Sequence, residues 1–196
     1  INKLMVNNII IPETDINIAM INGLIDNNWL GEWTIKNNKI IIQCENGVTL
    51  NNFIKKHNFN YNDALQFVSC MGNLLASIVP YGKSFLFLSL DDITVIDNEW
   101  YIITNMDKLV NIIDDDNIIL DTPIEIKEKI LPPEIKNINT LPFITNVSCI
   151  YYSIALLTIY CMKINLDLNE IYDTKLYFFL KRCLLNEPED RYYILI

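Results

Sequence analysis

Residues 137–162 carry no charged side chain, and the end of that segment, CIYYSIALLTIYCM from Cys149 to Met162, is almost wholly apolar. A run of this kind has two placements, a helix across a bilayer or a helix enclosed by protein on nearly all sides. A span needs about 20 apolar residues, more than this run provides. Extending it backward takes in Asn137, Asn139, Pro142 and Asn146, each costly in hydrocarbon. The chain is therefore expected to surround one central helix with protein, and no membrane partner is expected.

The composition supplies the material for that. With 196 residues, 51% of them apolar and 20% charged, the chain has a core's worth of hydrophobic side chains and room for one compact unit. Fifteen Lys and Arg against 24 Asp and Glu leave a net charge of −9. Nucleic-acid binding runs on counterion release through a basic surface, so no nucleic-acid partner is expected. The cysteines, Cys44, Cys70, Cys149, Cys161 and Cys183, are odd in number and widely spaced, with no zinc-ligand spacing. They read as small buried hydrophobes in a reducing, intracellular and cytoplasmic setting. His57 lies in a polar, Asn-rich stretch and reads as a solvated loop residue. No secretory signal is legible near Ile1, where both a basic region and an uninterrupted apolar stretch are missing.

Periodicity divides the chain coarsely. Helical spacing of apolar residues predicts helices over 13–24, 48–54, 62–79, Cys149–Met162 and 175–185. Two β-rich runs flank Asn37 and Asn38, and two more flank Asp97, Asn98 and Glu99, each pair reading as an antiparallel hairpin. Residues 111–128 are acidic, with Asp114, Asp115 and Asp116 in the middle, and read as a solvated loop. The ligand spacing of a calcium loop is missing there.

Five segments, in order, resemble landmarks of the protein kinase family. Residues 39–50 (KIIIQCENGVTL) look like the last small-lobe strand running through the hinge. Residues 93–97 (ITVID) look like the family's N-I-L-I-D strand, and residues 131–134 (LPPE) resemble the A-P-E that closes the activation segment. Residues 152–157 (YSIALL) resemble W-S-L-G-V-L, and residues 179–191 (FLKRCLLNEPEDR) match F-L-x-K-C-L-x-x-D-P-x-x-R. The resemblance implies an α+β, protein kinase-like fold. A reduced N-lobe of helix plus hairpin would occupy residues 1–46 and a mainly helical C-lobe residues 47–196. It also implies a buried structural ion pair between Glu134 and Arg191, a task suited to a bidentate Arg fork.

The chemistry of the family is harder to find. Phosphoryl transfer needs a lysine on the phosphates, a carboxylate at the substrate hydroxyl, an Asn and an Asp on magnesium, and a glycine-rich cover. Aligning Asp92 with the family's Asn puts Phe87 at the catalytic aspartate. Asn105 then stands at the metal aspartate, unless the register slips by two and supplies Asp107. Residues 4–10 stand in for the lysine-bearing strand but present Asn7 and Asn8, and no glycine-rich loop occurs among five glycines. No catalytic residue, no cofactor and no metal ligand is therefore expected. The resulting expectation is a catalytically inactive kinase-like protein that binds or scaffolds a protein partner. The alternatives are a divergent phosphotransferase or nucleotide-binding protein with relocated acidic residues, Asp92 and Asp107, and an unrelated helical structural protein.

Overall fold

The computed structural model describes residues 7–126 and 130–194. Residues 4–6 of the expected first strand and residues 127 and 128 of the acidic segment lie outside them.

The chain starts with β1 (Asn7–Pro12), followed by α1 (Asp15–Asp26), whose first turn is capped by the Thr14 side chain accepting from the Asn17 N–H. The strands β2 (Trp33–Lys36) and β3 (Lys39–Cys44) form the hairpin expected around Asn37 and Asn38. Those two residues take φ of 54° and 57°, the left-handed pair that a two-residue hairpin turn requires and that Asn tolerates. β3 is central, in the order β1-β3-β2, and alternation buries its Ile40, Ile42 and Cys44.

Glu45 and Asn46 then lead into β4 (Gly47–Thr49) and α2 (Leu50–Lys56). The expected helix over 48–54 begins later than its apolar spacing suggests, because Gly47, Val48 and Thr49 pair with β6 (Ile93–Ile96) and Thr49 serves as the N-cap. Gly47 also allows the small sheet to approach, since a Cβ there would lie 2.9 Å from Ile9 Cγ1. The long helix α3 (Tyr61–Ile78) opens on a capping box between Asn60 and Asp63 and stops at Pro80 and Gly82, the latter at φ 65°. With the turn that follows, it is long and apolar enough to cross a membrane, but its stripe packs on α1 and on the central helix.

Strand β5 (Lys83–Phe85) precedes the hairpin of β6 and β7 (Trp100–Ile103), turned by Asp97 and Asn98 at φ 51° and 62°. The acidic segment departs from expectation. Its ends are the strands β8 (Leu109–Ile112) and β9 (Asn117–Leu120), and only the Asp run between them is a solvated turn. Asp114 tightens that turn by accepting from the N–H groups of Asp116 and Asn117. With β10 (Phe143–Asn146) these strands form a second sheet in the order β10-β9-β8-β5.

The helix α4 spans Cys149–Met162, matching the apolar run, and most of it is buried while Tyr160 is exposed. It is the enclosed helix that the composition calls for. Lys163 ends it at φ 57°. α5 (Lys175–Cys183) packs on it, capped by Thr174. All five cysteines are buried and unbridged. His57 is tied down more firmly than a loop residue, stacked on Phe53 and with Nε2 3.0 Å from Asp63 Oδ2.

Candidate functional site

An open cleft of about 660 Å³ lies where the 86–92 loop meets the segment joining β7 to β8. The loop is fixed from beneath by α4. Ser153 Oγ accepts from Leu88 N at 3.0 Å and donates to Leu88 O, and Cys149 Sγ donates to Leu86 O. This anchoring turns Phe87 inward. Its ring is fully buried among Leu86, Val110, Ile118 and Cys149, so the position aligned with the catalytic aspartate belongs to the core and lies outside the cleft wall.

Asp92 faces the cleft but is only 2% exposed. Its Oδ2 accepts from Ser89 N at 2.7 Å, Ser89 Oγ at 2.8 Å and Lys108 Nζ at 2.6 Å, and its Oδ1 accepts from Asn105 Nδ2 at 2.9 Å. A carboxylate offers about four lone-pair sites, so these donors saturate it. Lys108 is itself buried, with its ammonium 3.2 Å from Ser89 Oγ and 4.9 Å from the centre of the Phe87 ring. The aromatic face and the carboxylate together make this a favourable place for one fixed positive charge.

Lys108 was not singled out by sequence reasoning. It is an isolated cation ahead of an apolar strand, and its burial follows from β8 drawing its backbone against the loop, with Leu86 N donating to Lys108 O at 3.0 Å. The only available signal was its position directly before the alternating strand. Asn105 contributes an amide to Asp92 and caps Asp107 N through its Oδ1. Asp107 borders the cleft but is exposed, and Asp91 accepts from the Asn51 amide. Among the described residues no three His, Cys, Asp or Glu side chains group closely enough to hold a metal.

The link between β3 and β4 is fastened as firmly. Asp97 Oδ1 accepts from Glu45 N at 2.8 Å and from Asn46 N at 2.9 Å, and Asp97 N donates to Asn46 O. Asn7 Nδ2 donates to Glu45 O at 3.0 Å, while Asn8 is exposed. Every backbone polar group of Glu45 and Asn46 therefore has a partner within the chain.

Away from the cleft, the structure brings Glu134 and Arg191 together. Arg191 Nη1 lies 2.5 Å from Glu134 Oε1 and Nη2 3.2 Å from Oε2, a bidentate fork. Its remaining donors reach Leu185 O and Asn186 O, and the guanidinium lies 4.7 Å from the centre of the Tyr152 ring. The arginine side chain is fully enclosed.

No family model matches the chain, and no curated protein matches it in sequence. Solved structures do. The kinase domain of a Toxoplasma gondii specific rhoptry antigen superposes with a TM-score of 0.54 at 17% identity, over 81% of this chain and 51% of that one. A rhoptry kinase from Toxoplasma gondii superposes with a TM-score of 0.53 at 18% identity, over 81% and 52%. The fold is protein kinase-like, α+β, and the chain spans about half the length of these structures.

Proposed function

We propose that this chain is a catalytically inactive kinase-like protein that acts as a protein-binding or scaffolding module. The reading rests on the Asp92–Lys108 pair. Asp92, aligned by resemblance with a magnesium ligand of the family, has its charge met by a tethered ammonium and its lone pairs engaged by four protein donors. Magnesium requires near-octahedral oxygen ligation at about 2.1 Å, and to bind Asp92 it would first have to displace Lys108. Phe87 offers no proton acceptor at the base position. Glu45 and Asn46 have no backbone group left unpartnered for a base edge. The Glu134–Arg191 anchor is present alongside these losses, as suits a body kept for its surface. The five buried, unbridged thiols support a reducing intracellular setting.

The competing reading, a divergent phosphotransferase or nucleotide binder working through Asp92 and Asp107, draws on their shared place at the cleft. A thermal-shift titration with ATP and magnesium separates the two. The inactive module shows no shift. A true nucleotide site gives about 2.7 kcal/mol of stabilisation at a hundredfold excess over Kd. That shift, lost in both Asp92→Ala and Asp107→Ala, would establish the competing reading.

A further inference from the structure

The outer face of α5 carries aromatic rings and cations together. Phe178 is 46% exposed and Tyr172, just before the helix, 69%. Tyr177 stands between them, its ring centre 5.1 Å from that of Tyr172 and 5.2 Å from that of Phe178, both pairs edge to face. Lys181 lies one turn further on, its ammonium 3.2 Å from Tyr177 Oη and 5.4 Å from the ring centre. Leu176, Phe179, Leu180 and Cys183 turn inward, so the ladder of rings is left on the other side of the helix, packed in place before any partner arrives. Exposed apolar surface grouped in this way marks contact sites.

The charges say what kind of partner fits. The chain carries 24 acidic and 15 basic residues, yet the charged side chains of α5 are Lys175, Lys181 and Arg182, all exposed. Among the described residues none of the three lies within ion-pair distance of an acid. The helix dipole accounts for Lys181 and Arg182, which sit in the last turn. It works against Lys175, the first residue of the helix, where a carboxylate would be the stabilising choice. A cation kept against the local preference, on the helix that carries the rings, suits an anionic contact. The basic strip is also narrow, since Asp167, Glu170 and Asp173 lie exposed before α5 and Glu187, Glu189 and Asp190 after it. A broad anionic surface, such as a bilayer or a nucleic-acid backbone, would meet those acids as well as the cations. A short acidic stretch of protein meets the cations alone.

We propose that the outer face of α5 binds a short acidic segment of a partner protein, which seats an apolar side chain on the ring ladder and sets carboxylates against Lys175 and Arg182. The two cations stand about 10 Å apart along the helix axis, the reach of three extended residues, so the carboxylates belong at positions i and i+3 of the segment. The proposal rests on the protein-binding reading above and names its surface and the chemistry of its partner.

The probe is a labelled synthetic peptide with a Glu-Leu-Phe-Glu core, compared by fluorescence anisotropy with its Lys-Leu-Phe-Lys counterpart. The acidic peptide is expected to bind the full chain, more weakly as salt rises. Lys175→Glu should weaken it by about fivefold or more without lowering the melting temperature, because a carboxylate suits that end of the helix. Phe178→Ser, at an exposed position, should weaken it as much. No binding up to about 1 mM, equal binding of the basic peptide, or indifference to both substitutions overturns the proposal. So does binding of phosphatidylserine vesicles or of single-stranded DNA that Lys175→Glu abolishes, which would assign the strip to a lipid or a nucleic acid. Sedimentation showing a dimer that Phe178→Ser dissociates would overturn it as well, giving the face to a second copy of this chain. Titrating the same samples with ATP and magnesium keeps the outcomes apart, since a nucleotide shift counts against the inactive reading and leaves the peptide result standing.

Discussion

Among the described residues two ion pairs are buried, and they serve different ends. Arg191 and Glu134 stand 57 positions apart, and every other partner of the arginine is a backbone carbonyl or an aromatic face, so the pair ties distant stretches of chain together. Lys108 and Asp92 are 16 positions apart and border an open cleft. The first is an anchor whose geometry follows the fold. The second occupies a place where the fold could expose a carboxylate to an exchangeable cation, and fills it with a cation that cannot leave. One pair thus ties the kinase-like fold together, while the other balances a carboxylate at the edge of the cleft.

A charge with no partner sets the upper end of the comparison. Ala155→Asp, at a fully buried position on α4, is expected to prevent folding, read as loss of soluble expression and of a cooperative melt. Arg191→Ala should cost about 3–5 kcal/mol in denaturant unfolding, because it strands the Glu134 carboxylate. A loss below about 1 kcal/mol would make the anchor no more than a surface pair. Lys108→Met should cost less, about 2 kcal/mol, since Asp92 keeps Ser89 and Asn105 as donors. Adding Asp92→Leu to Lys108→Met should recover most of that loss, because replacing a whole buried pair is often neutral. A double variant as unstable as Arg191→Ala would show that the cleft pair is an anchor too.

The smallest effect belongs to neither pair. Burial pushes the Cys70 thiol up from 9.0 to about 11 and those of Cys161 and Cys183 to about 12. These groups hold their protons in the folded chain when the unfolded chain has lost them. Their contribution is therefore complete below pH 9.0 and fades as pH rises toward those folded values. Melting temperature should fall across that window, and replacing all three cysteines by alanine should flatten the fall. An unchanged profile in that variant would shift the alkaline loss onto the other groups that burial keeps protonated, Tyr101, Cys149 and Tyr193.

What could be read in advance was local. The Asn37 and Asn38 turn, the Asp97 and Asn98 turn and the limits of α4 each follow from residues adjacent in sequence, and the segments around Glu134 and Arg191 carried their own resemblance. The sheet of β8, β9 and β10 was missed because its strands are only four residues each and one turn is three aspartates, so the charge run hid the pairing. Lys108 was missed for a related reason. Nothing near it in sequence says that β8 will press it against Phe87 and Asp92. Val48 joined the wrong element because its partner, Val95, is far along the chain.

Asp97 belongs to the turn between β6 and β7, whereas Glu45 and Asn46 follow β3, so one carboxylate ties the ladder of β1, β2 and β3 to that of β4, β6 and β7. One ladder could slide against the other only by first breaking the bonds of that carboxylate.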